Sequence, residues 1–482
     1  MNRSILIIFV FVSLFSITTN AQDTRPNIIF IEADDLMPRF MNKLGDGFGH
    51  TPNLDQLATQ GIHFPHAVAQ GPMCGPSRNS MITNSYPHNL GFYQNGDMRF
   101  NIEGVWTFPK VFQANGYETA YVGKSHIRPQ QRKQSKAEAL HNYGFDFVNA
   151  SGERHALWKD LQKGNDISDV PFIKHLKKRG KYEQFLKDNT VPSHKMQSTM
   201  QDDVDYLDGY MTYVAKDWIL NKQDANKPFF MWFNFCLPHG PYDVPKRYFD
   251  IAKTKTIPKP KTNSFGHPVP EPLLRHTKKA KAQKLPKERL GEVANVAFMD
   301  KMIGQLIEAL KQSGELENTV IVFFSDHSIF LGNHGLSDKS TLFEETLNTS
   351  LIISYPKAFP QDKINMHPME LLDLIPTAFD LAGIKNPNSV AKNGVSFVPV
   401  LTGKKESVRD YAFSEINEAQ CATGIRYRYI VSDGYEILYD RLNDPYEMKN
   451  IAEDFPEITK KMGDAVKVWL AKTGPVLKPK TH

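Results

Sequence analysis

The chain has 482 residues, a net charge of +5, and 40% hydrophobic and 23% charged residues. This length predicts one large domain plus a smaller one, and the composition excludes a disordered or fibrous chain. Three cysteines allow one disulfide at most, so a disulfide scaffold is excluded and at least one thiol is left over.

The amino-terminal segment predicts export. Arg3 precedes an apolar run over 5–17, and Thr19 and Ala21 fit the small-residue positions before a cleavage site. Because the run is short for a bilayer span, an uncleaved membrane anchor is the less favoured alternative. We expect residues 1–21 to be a signal peptide, the mature protein to be periplasmic or secreted, and no stable membrane insertion after cleavage.

Short apolar runs then alternate with helical patterns, which predicts an α/β sheet. Strands are expected at 27–33, 117–123, 228–235, 319–325 and 350–355, and helices at 52–60, 202–220, 290–312 and 369–381. Thr51, which precedes a proline, is expected to cap the first of these helices.

The alternation weakens after residue 383. Residues 412–439 predict short antiparallel strands, and 456–473 predict a closing helix. We therefore expect a catalytic domain over 22–385 and a smaller C-terminal subdomain over 386–482.

Basic residues concentrate between 246 and 289, where nine lysines fall within 253–287. Such a segment could steer a polyanion towards a site, or it could be a solvated surface loop. Nucleic acid is not expected as a partner, because the chain has no recognised reader motif and is predicted to be exported.

Two of the predicted strands run into acidic residues. Asp34 and Asp35 follow the first strand, and Asp326 and His327 follow the strand over 319–325. Functional residues in such sheets gather at the carboxyl ends of strands. Adjacent carboxylates repel one another, so we expect a hard cation with oxygen ligands there, calcium or magnesium. The alternative is a set of acids in surface turns.

Cys74 lies in the sequence Gly-Pro-Met-Cys-Gly-Pro-Ser-Arg over 71–78. Pro76 and Ser77 could open a helix, whose amino end favours anions, and Arg78 adds a fixed positive charge. From this chemistry alone, Cys74 is either a nucleophile or an inert buried thiol.

Several segments together resemble the type I sulfatases. Residues 74–78 (Cys-x-Pro-Ser-Arg) resemble the family's signature, and 116–126 resemble its second signature. The pairs Asp34-Asp35 and Asp326-His327 come in the order that the family requires, and 438–450 resemble the family's C-terminal segment. The resemblance covers nearly the whole mature chain.

Within the family, the segments 236–242, 326–327 and 331–335 are most similar to the iduronate-2-sulfatase-like and choline-sulfatase-like branch. The resemblance implies an alkaline-phosphatase-like α/β fold, with a large mixed central sheet flanked by helices and a smaller domain bearing an antiparallel sheet. Departures from the pattern include Asn84 and Ser328, which stand where glycine is common, Ser85, where a basic residue is common, and His66, where asparagine is common.

The resemblance also implies the site. Cys74 would be oxidised to formylglycine by a maturation enzyme, and its hydrated form would attack sulfur. One calcium ion would be held by Asp34, Asp35, Cys74, Asp326 and, against calcium's preference for oxygen donors, His327. Arg78 would orient the nucleophile, Lys124 and Lys339 would contact sulfate oxygens, His239 would protonate the leaving alcohol, and His126 would assist release of sulfate.

We therefore expect a sulfuric ester hydrolase acting on a sulfated carbohydrate, either a glycosaminoglycan or an algal polysaccharide or their oligosaccharides. Specificity is expected in the irregular segments 88–103, 128–195 and 242–289. The alternatives are a phosphonate or phosphate ester hydrolase of the same fold and a non-catalytic protein that binds sulfated glycans.

Overall fold

The computed structural model describes residues 24–95, 106–127, 134–189, 199–387 and 393–477. The predicted signal peptide lies outside these residues. None of the described helices is both long enough and apolar enough to span a bilayer.

The described residues form fourteen strands and sixteen α-helices. The strands are β1 (Asn27–Asp34), β2 (Gly61–Phe64), β3 (Ala67–Val68), β4 (Glu118–Gly123), β5 (Phe147–Asn149), β6 (Phe229–Pro238), β7 (Thr319–Ser325), β8 (Leu351–Ser354), β9 (Lys363–Ile364), β10 (Met369–Glu370), β11 (Ala412–Ile416), β12 (Ala419–Thr423), β13 (Tyr427–Ser432) and β14 (Tyr435–Asp440). The helices are α1 (Pro52–Thr59), α2 (Cys74–Thr83), α3 (Pro87–Leu90), α4 (Phe108–Ala114), α5 (Lys136–Asn142), α6 (Arg154–Gln162), α7 (Pro171–Lys178), α8 (Tyr182–Asn189), α9 (Leu207–Asn221), α10 (Lys246–Lys253), α11 (Glu271–Leu274), α12 (Leu285–Gln312), α13 (Glu344–Leu347), α14 (Leu374–Leu381), α15 (Val398–Leu401) and α16 (Pro456–Thr473).

Eight strands form the central sheet in the order β5-β4-β6-β1-β7-β8-β2-β9. The five strands from β5 to β7 run parallel, whereas β8 is antiparallel to both β7 and β2. The sheet is therefore mixed, and four neighbouring parallel strands, β4, β6, β1 and β7, end at one edge.

Both faces of the central sheet are covered by apolar side chains. Ile29 and Ile31 of β1 pack in the core that includes α9 and α12, whereas Ile28 and Phe30 pack in the core on the opposite face. Alternate residues of a strand point to opposite faces, so a strand buried on both sides is a continuous apolar run. This explains why the strands could be recognised in the sequence.

The C-terminal part forms a second sheet. Strands β11 to β14 pair antiparallel in chain order, and α16 packs against them. The predicted combination of a mixed central sheet with a smaller antiparallel sheet is confirmed. The domain boundary near residue 385 stays a prediction.

The predicted helices differ from the structure in three places. In the segment expected at 202–220, a short 3-10 helix (Asp203–Asp205) precedes α9, which begins at Leu207, and α12 begins at Leu285 rather than at residue 290. Met369 and Glu370 belong to the short strand β10, which pairs with β3, so their assignment to a helix is wrong.

The predicted cap of α1 is also wrong. The hydroxyl of Thr51 makes no capping bond, and instead donates to Asp55 at 3.1 Å. Asp300 of α12 accepts from the backbone amides of Asn53 at 3.2 Å and Leu54 at 2.8 Å. The amides at the start of α1 are therefore satisfied by a carboxylate from another helix.

Candidate active site

The carboxyl ends of the four parallel strands bring most of the predicted site residues to one edge of the sheet. They comprise Lys124 and His126 after β4, His239 after β6, Asp34 and Asp35 at the end of β1, and Asp326 and His327 after β7.

Gly123 fixes the position of Lys124. Its φ is +118°, and a Cβ atom there would lie 1.9 Å from the carbonyl oxygen of Asn234. Only glycine allows this close approach of β4 to β6. The amide of Lys124 then donates to that same carbonyl at 3.0 Å, which anchors the start of the segment that carries Lys124 and His126.

Cys74 is the first residue of α2, two residues earlier than the predicted helix start, and its side chain is 1% exposed. Four groups surround its sulfur. Sγ lies 3.1 Å from Lys339 Nζ, 3.2 Å from His327 Nε2, 3.4 Å from Asp34 Oδ1 and 3.9 Å from Asp35 Oδ1. Burial and then the Asp34 carboxylate raise the pKa of the thiol well above its usual range.

Two lysines neutralise the paired carboxylates. Lys124 Nζ lies 2.5 Å from Asp34 Oδ2, and Lys339 Nζ lies 2.5 Å from Asp35 Oδ1. Burial alone would raise the pKa values of both carboxyls, but Lys124 beside Asp34 and Lys339 beside Asp35 outweigh it. The pKa of Asp34 is held well below its usual range, and that of Asp35 is also lowered. Both side chains are therefore carboxylates at neutral pH.

Arg78 lies beneath Cys74 with its side chain fully buried. Its Nε donates to Asp326 Oδ2 at 3.0 Å, and its Nη1 donates to Asn234 Oδ1 at 2.7 Å. Nη1 also lies 3.2 Å from Glu32 Oε2, which accepts from the indole of Trp232 at 2.7 Å. Arg78 is thus locked between β1, β6 and the residue that follows β7.

The ring of His327 is oriented by its own backbone. Nδ1 lies 3.1 Å from the carbonyl oxygen of Ser328, to which an N–H donates, so Nε2 presents its lone pair towards Cys74. Burial lowers the pKa of His327, although Asp326 opposes the effect. The imidazole is therefore neutral and available as an acceptor or a ligand.

The residues around Cys74 fit a cation. One atom each from Asp34, Asp35, Cys74 and His327 lies within 4.8 Å of all the others. The two ionised carboxylates supply the oxygen donors that a hard divalent cation prefers. Asp326 lies beside this group, but its oxygens contact Arg78 and the amides of Asp35 and His327 at 3.0, 3.2 and 2.9 Å.

His126 and His239 flank the site from β4 and β6. His126 Nε2 lies 2.6 Å from Glu153 Oε1, and the buried Nδ1 has no hydrogen-bond partner among the described residues. Burial and then Lys124 lower the pKa of His126 to about 4. His239 Nδ1 donates to the carbonyl of Gly240 at 2.5 Å, and its Nε2 lies 3.6 Å from Asp35 Oδ2.

Sequence reasoning missed the residues that support the site. Glu32 and Asn234 hold Arg78, and each is a polar residue between two apolar neighbours within its strand, a signal that could have found them. Asn79 donates to the carbonyls of Gly75 at 2.7 Å and His126 at 3.1 Å and so links α2 to the segment after β4. Glu153 follows the short strand β5 in an irregular segment, where no pattern pointed to it.

The departure at Asn84 has a structural explanation. Asn84 ends α2 in the left-handed conformation, with φ 47° and ψ 47°. Glycine is the commonest residue in this conformation, and asparagine tolerates it better than other residues do. The substitution therefore keeps the backbone of the helix that begins with Cys74.

The sulfatase family model matches residues 26–384, a span that contains every residue of this site. The chain belongs to the sulfatase family. It is therefore a sulfuric ester hydrolase, and the predicted family and reaction class are confirmed. A second model, the C-terminal part of N-sulphoglucosamine sulphohydrolase, matches residues 332–471.

Named relatives of this sulfatase align along most of their length. It is 27% identical to an N-acetylglucosamine-6-O-sulfatase of Bacteroides thetaiotaomicron, over 89% of this chain and 82% of the relative. It is 26% identical to an ulvan-active sulfatase of Formosa agariphila, over 90% and 79% of the two chains. A choline-sulfatase of Rhizobium meliloti is also 26% identical, over 89% and 83%.

The fold is shared with solved structures. A phosphonate monoester hydrolase of Agrobacterium radiobacter superposes with a TM-score of 0.75, covering 93% of this chain and 96% of its own, at 22% identity. Similarity at this level of identity establishes the fold. The substrate has to be inferred from the residues of the site.

Proposed function

We propose that this sulfatase removes sulfate esters from a carbohydrate, using formylglycine made from Cys74 and a bound calcium ion. The observation that carries the proposal is the convergence of Asp34, Asp35, His327 and Lys339 on the Cys74 sulfur. The named relatives support a carbohydrate, since one acts on N-acetylglucosamine 6-sulfate groups and another on ulvan.

Asp34, Asp35, His327 and the side chain at position 74 would hold the calcium, with Asp326 beside them. When bound, the ion supplies positive charge that lowers the pKa of an attacking hydroxyl and polarises a sulfate oxygen. Position 74, once converted to formylglycine and hydrated, would supply that hydroxyl.

The chain's own cations would position the sulfate. Lys339 lies 3.1 Å from the side chain at position 74, and Lys124 lies against Asp34 on the β4 side. Fixed positive charge close to the reacting atoms stabilises negative charge as it develops on the sulfate oxygens. Arg78 would not move, because three acceptors hold it, and it would keep Asp326 in place.

The two flanking histidines would move protons. Because His239 Nδ1 donates to Gly240 and Nε2 lies on the side of Asp35, Nε2 is the atom from which His239 would donate a proton to the leaving oxygen. His126 donates from Nε2 to Glu153, so its Nδ1 can accept a proton during release of sulfate.

We also infer that the enzyme is matured by a formylglycine-generating enzyme and exported to the periplasm or beyond. The signature over 74–78 supports the first inference, and the apolar run over 5–17 supports the second.

One preparation tests these inferences. The protein is produced in an exporting host with a formylglycine-generating enzyme and analysed by mass spectrometry. We expect a chain that lacks residues 1–21 and a peptide in which the thiol of Cys74 has been replaced by an aldehyde. We then expect hydrolysis of 4-nitrophenyl sulfate to exceed that of 4-nitrophenyl phosphate, to depend on calcium, and to fall on the order of 10³-fold or more in Cys74→Ala.

A retained thiol, or a Cys74→Ala variant as active as the wild type, would contradict the mechanism. Faster hydrolysis of the phosphate ester, or of a phosphonate monoester, would favour the alternative activity that shares this fold.

A further inference from the structure

The site opens into a large cleft. A cavity of about 780 Å³ is lined by Asp35 and His239 at the reaction centre and extends to the start of α12. A volume of this size accommodates a ligand much larger than one sulfate group. Part of the substrate beyond the scissile ester therefore has to lie against the walls of this cleft.

Lysines dominate the charge of the cleft walls. Apart from Asp35 at the reaction centre, Lys278, Lys284 and Lys287 line it together with two further carboxylates, Glu288 and Asp338. Lys278 Nζ pairs with Asp338 Oδ2 at 2.6 Å, and burial raises the pKa of Glu288 although Lys284 opposes the effect. Because Asp35 is already paired with Lys339, the three ammonium groups outnumber the two acids in the rest of the cleft.

The remaining cleft residues add little charge. His155 also lines the cleft, and burial, followed by Lys159, lowers its pKa. Pro241, Tyr242 and Ile329 contribute apolar surface on which a sugar ring can pack. The positive charge of the cleft therefore comes from its lysines.

These three lysines come from the basic segment 246–289, for which the sequence left two interpretations open. Other lysines of the segment, such as Lys259 and Lys281, are exposed and are not among the residues that line the cleft. Only a subset of the basic residues therefore faces the space next to the reaction centre.

We propose that Lys284 and Lys287 form a subsite for a second anionic group of the substrate, a carboxylate or a sulfate on the sugar next to the scissile ester. The proposal rests on the proposed function and narrows its substrate class to oligosaccharides with at least two acidic groups. Lys278, already paired with Asp338, completes the positive wall.

The subsite is tested by equilibrium binding to the chain with Cys74 unmodified, in the presence of calcium, so that no probe is consumed. The probes are monosulfated unsaturated disaccharides prepared from ulvan, chondroitin sulfate and heparan sulfate, each with a free uronate and as its uronate methyl ester. A disulfated heparan disaccharide, also as its methyl ester, tests whether a second sulfate replaces the carboxylate.

For the probe that binds most tightly, we expect calorimetry to give a Kd about three- to thirtyfold lower for the free acid than for its methyl ester, the range expected for two exposed ion pairs. Lys284→Gln/Lys287→Gln should bring the two Kd values together. Lys259→Gln/Lys281→Gln, which removes the same charge from outside the cleft, should keep the difference.

Two results would overturn the subsite. In the first, the free acid and its methyl ester bind the wild type with equal Kd values in every pair, which would indicate a neutral neighbouring sugar. In the second, the difference in Kd between acid and ester persists in Lys284→Gln/Lys287→Gln. The proposed function is tested separately by hydrolysis of 4-nitrophenyl sulfate by the matured wild type. This ester carries no second anionic group, so its hydrolysis does not depend on the subsite.

Discussion

Several histidines of this sulfatase are kept neutral by burial. At His126 burial is assisted by Lys124 and opposed by Glu153, and at His327 it is opposed by Asp326. At His63 of β2 burial is the one cause that lowers the pKa to about 4. His63 is 6% exposed, and its Nε2 lies 3.2 Å from the hydroxyl of Ser350. His63 therefore shows the effect of burial alone, which also lowers the pKa values of His126 and His327 at the site.

Replacing His63 should change how stability depends on pH. The folded pKa, about 4, lies below the unfolded value of 6.5, so the unfolded chain binds the extra proton and stability is lost as pH falls between these values. From pH 7 to pH 4.5 this loss is about 2 kcal/mol for one such group. In His63→Gln, urea unfolding at the two pH values should show a loss smaller by that amount.

Ser350→Ala provides the control for this measurement. It removes the hydrogen-bond partner of His63 but keeps the ring, so stability should fall equally at both pH values while the pH-dependent loss remains. If His63→Gln kept the full pH-dependent loss, burial would not be holding this ring neutral.

At the scale of one element, α2 begins at Cys74 and ends in the left-handed conformation at Asn84. Asn84 is 1% exposed, and its Nδ2 donates to the carbonyl of Leu372 at 2.8 Å. Its Oδ1 accepts from the amides of Asn393 at 3.2 Å and Gly394 at 3.4 Å. The backbone conformation of Asn84 and its side-chain hydrogen bonds contribute separately to the stability of the fold. Two substitutions can measure the two contributions.

Asn84→Gly should lose the side-chain bonds, at about 1–2 kcal/mol, but keep an unstrained backbone. Asn84→Ala should lose the same bonds and add about 1 kcal/mol of strain, because alanine is disfavoured at φ 47°. Urea unfolding of the two variants should therefore place Asn84→Ala below Asn84→Gly. Equal stabilities, or the reverse order, would mean that α2 does not end in this conformation.

The strands were predictable because their signal is local. Each of the five predicted strands is present, with ends within about three residues, since a strand buried on both faces is a continuous apolar run. The start of α1 was not predictable in the same way. Its amides are satisfied by Asp300, some 247 positions away, and no local pattern records such a contact.

The residues of the site also differ in whether a local sequence pattern identifies them. Asp34 and Asp326 could be found because they end apolar strands, and Cys74, Lys124 and Lys339 because they stand in or near family motifs. Glu153 could not be found, since its role depends on β5 lying beside β4 in the folded sheet. Which strands lie side by side depends on the topology of the sheet, and the pattern of apolar residues does not predict it.

At the scale of the whole molecule, buried charges tie the C-terminal sheet to the rest of the chain. Arg428 of β13 is fully buried and lies 2.6 Å from Glu344 Oε2 and 3.0 Å from Glu447 Oε1. Arg441 pairs with the same Glu344 at 3.0 Å, and Glu447 accepts from the Glu344 amide at 2.8 Å. Because Glu344 begins α13, shortly after Lys339, the C-terminal sheet braces the segment that reaches the site.

Removing Arg428 should therefore be far more damaging than removing a neighbouring arginine. Arg426 pairs with Asp440 at 2.7 Å, a distance close to those of Arg428, but its side chain is 49% exposed. Arg428→Met leaves Glu344 and Glu447 without their shared cation and should cost about 3–5 kcal/mol. Arg426→Ala should cost less than about 1 kcal/mol, because water already screens that pair.

Urea unfolding of the two variants measures the difference between these two losses of stability. Equal losses would mean that the bonds of Arg428 do not join the two parts of the chain. If Arg428→Met also unfolded in two transitions where the wild type shows one, the bonds of Arg428 would be identified as coupling the C-terminal sheet to the rest of the chain, since cooperative unfolding requires that the parts remain coupled.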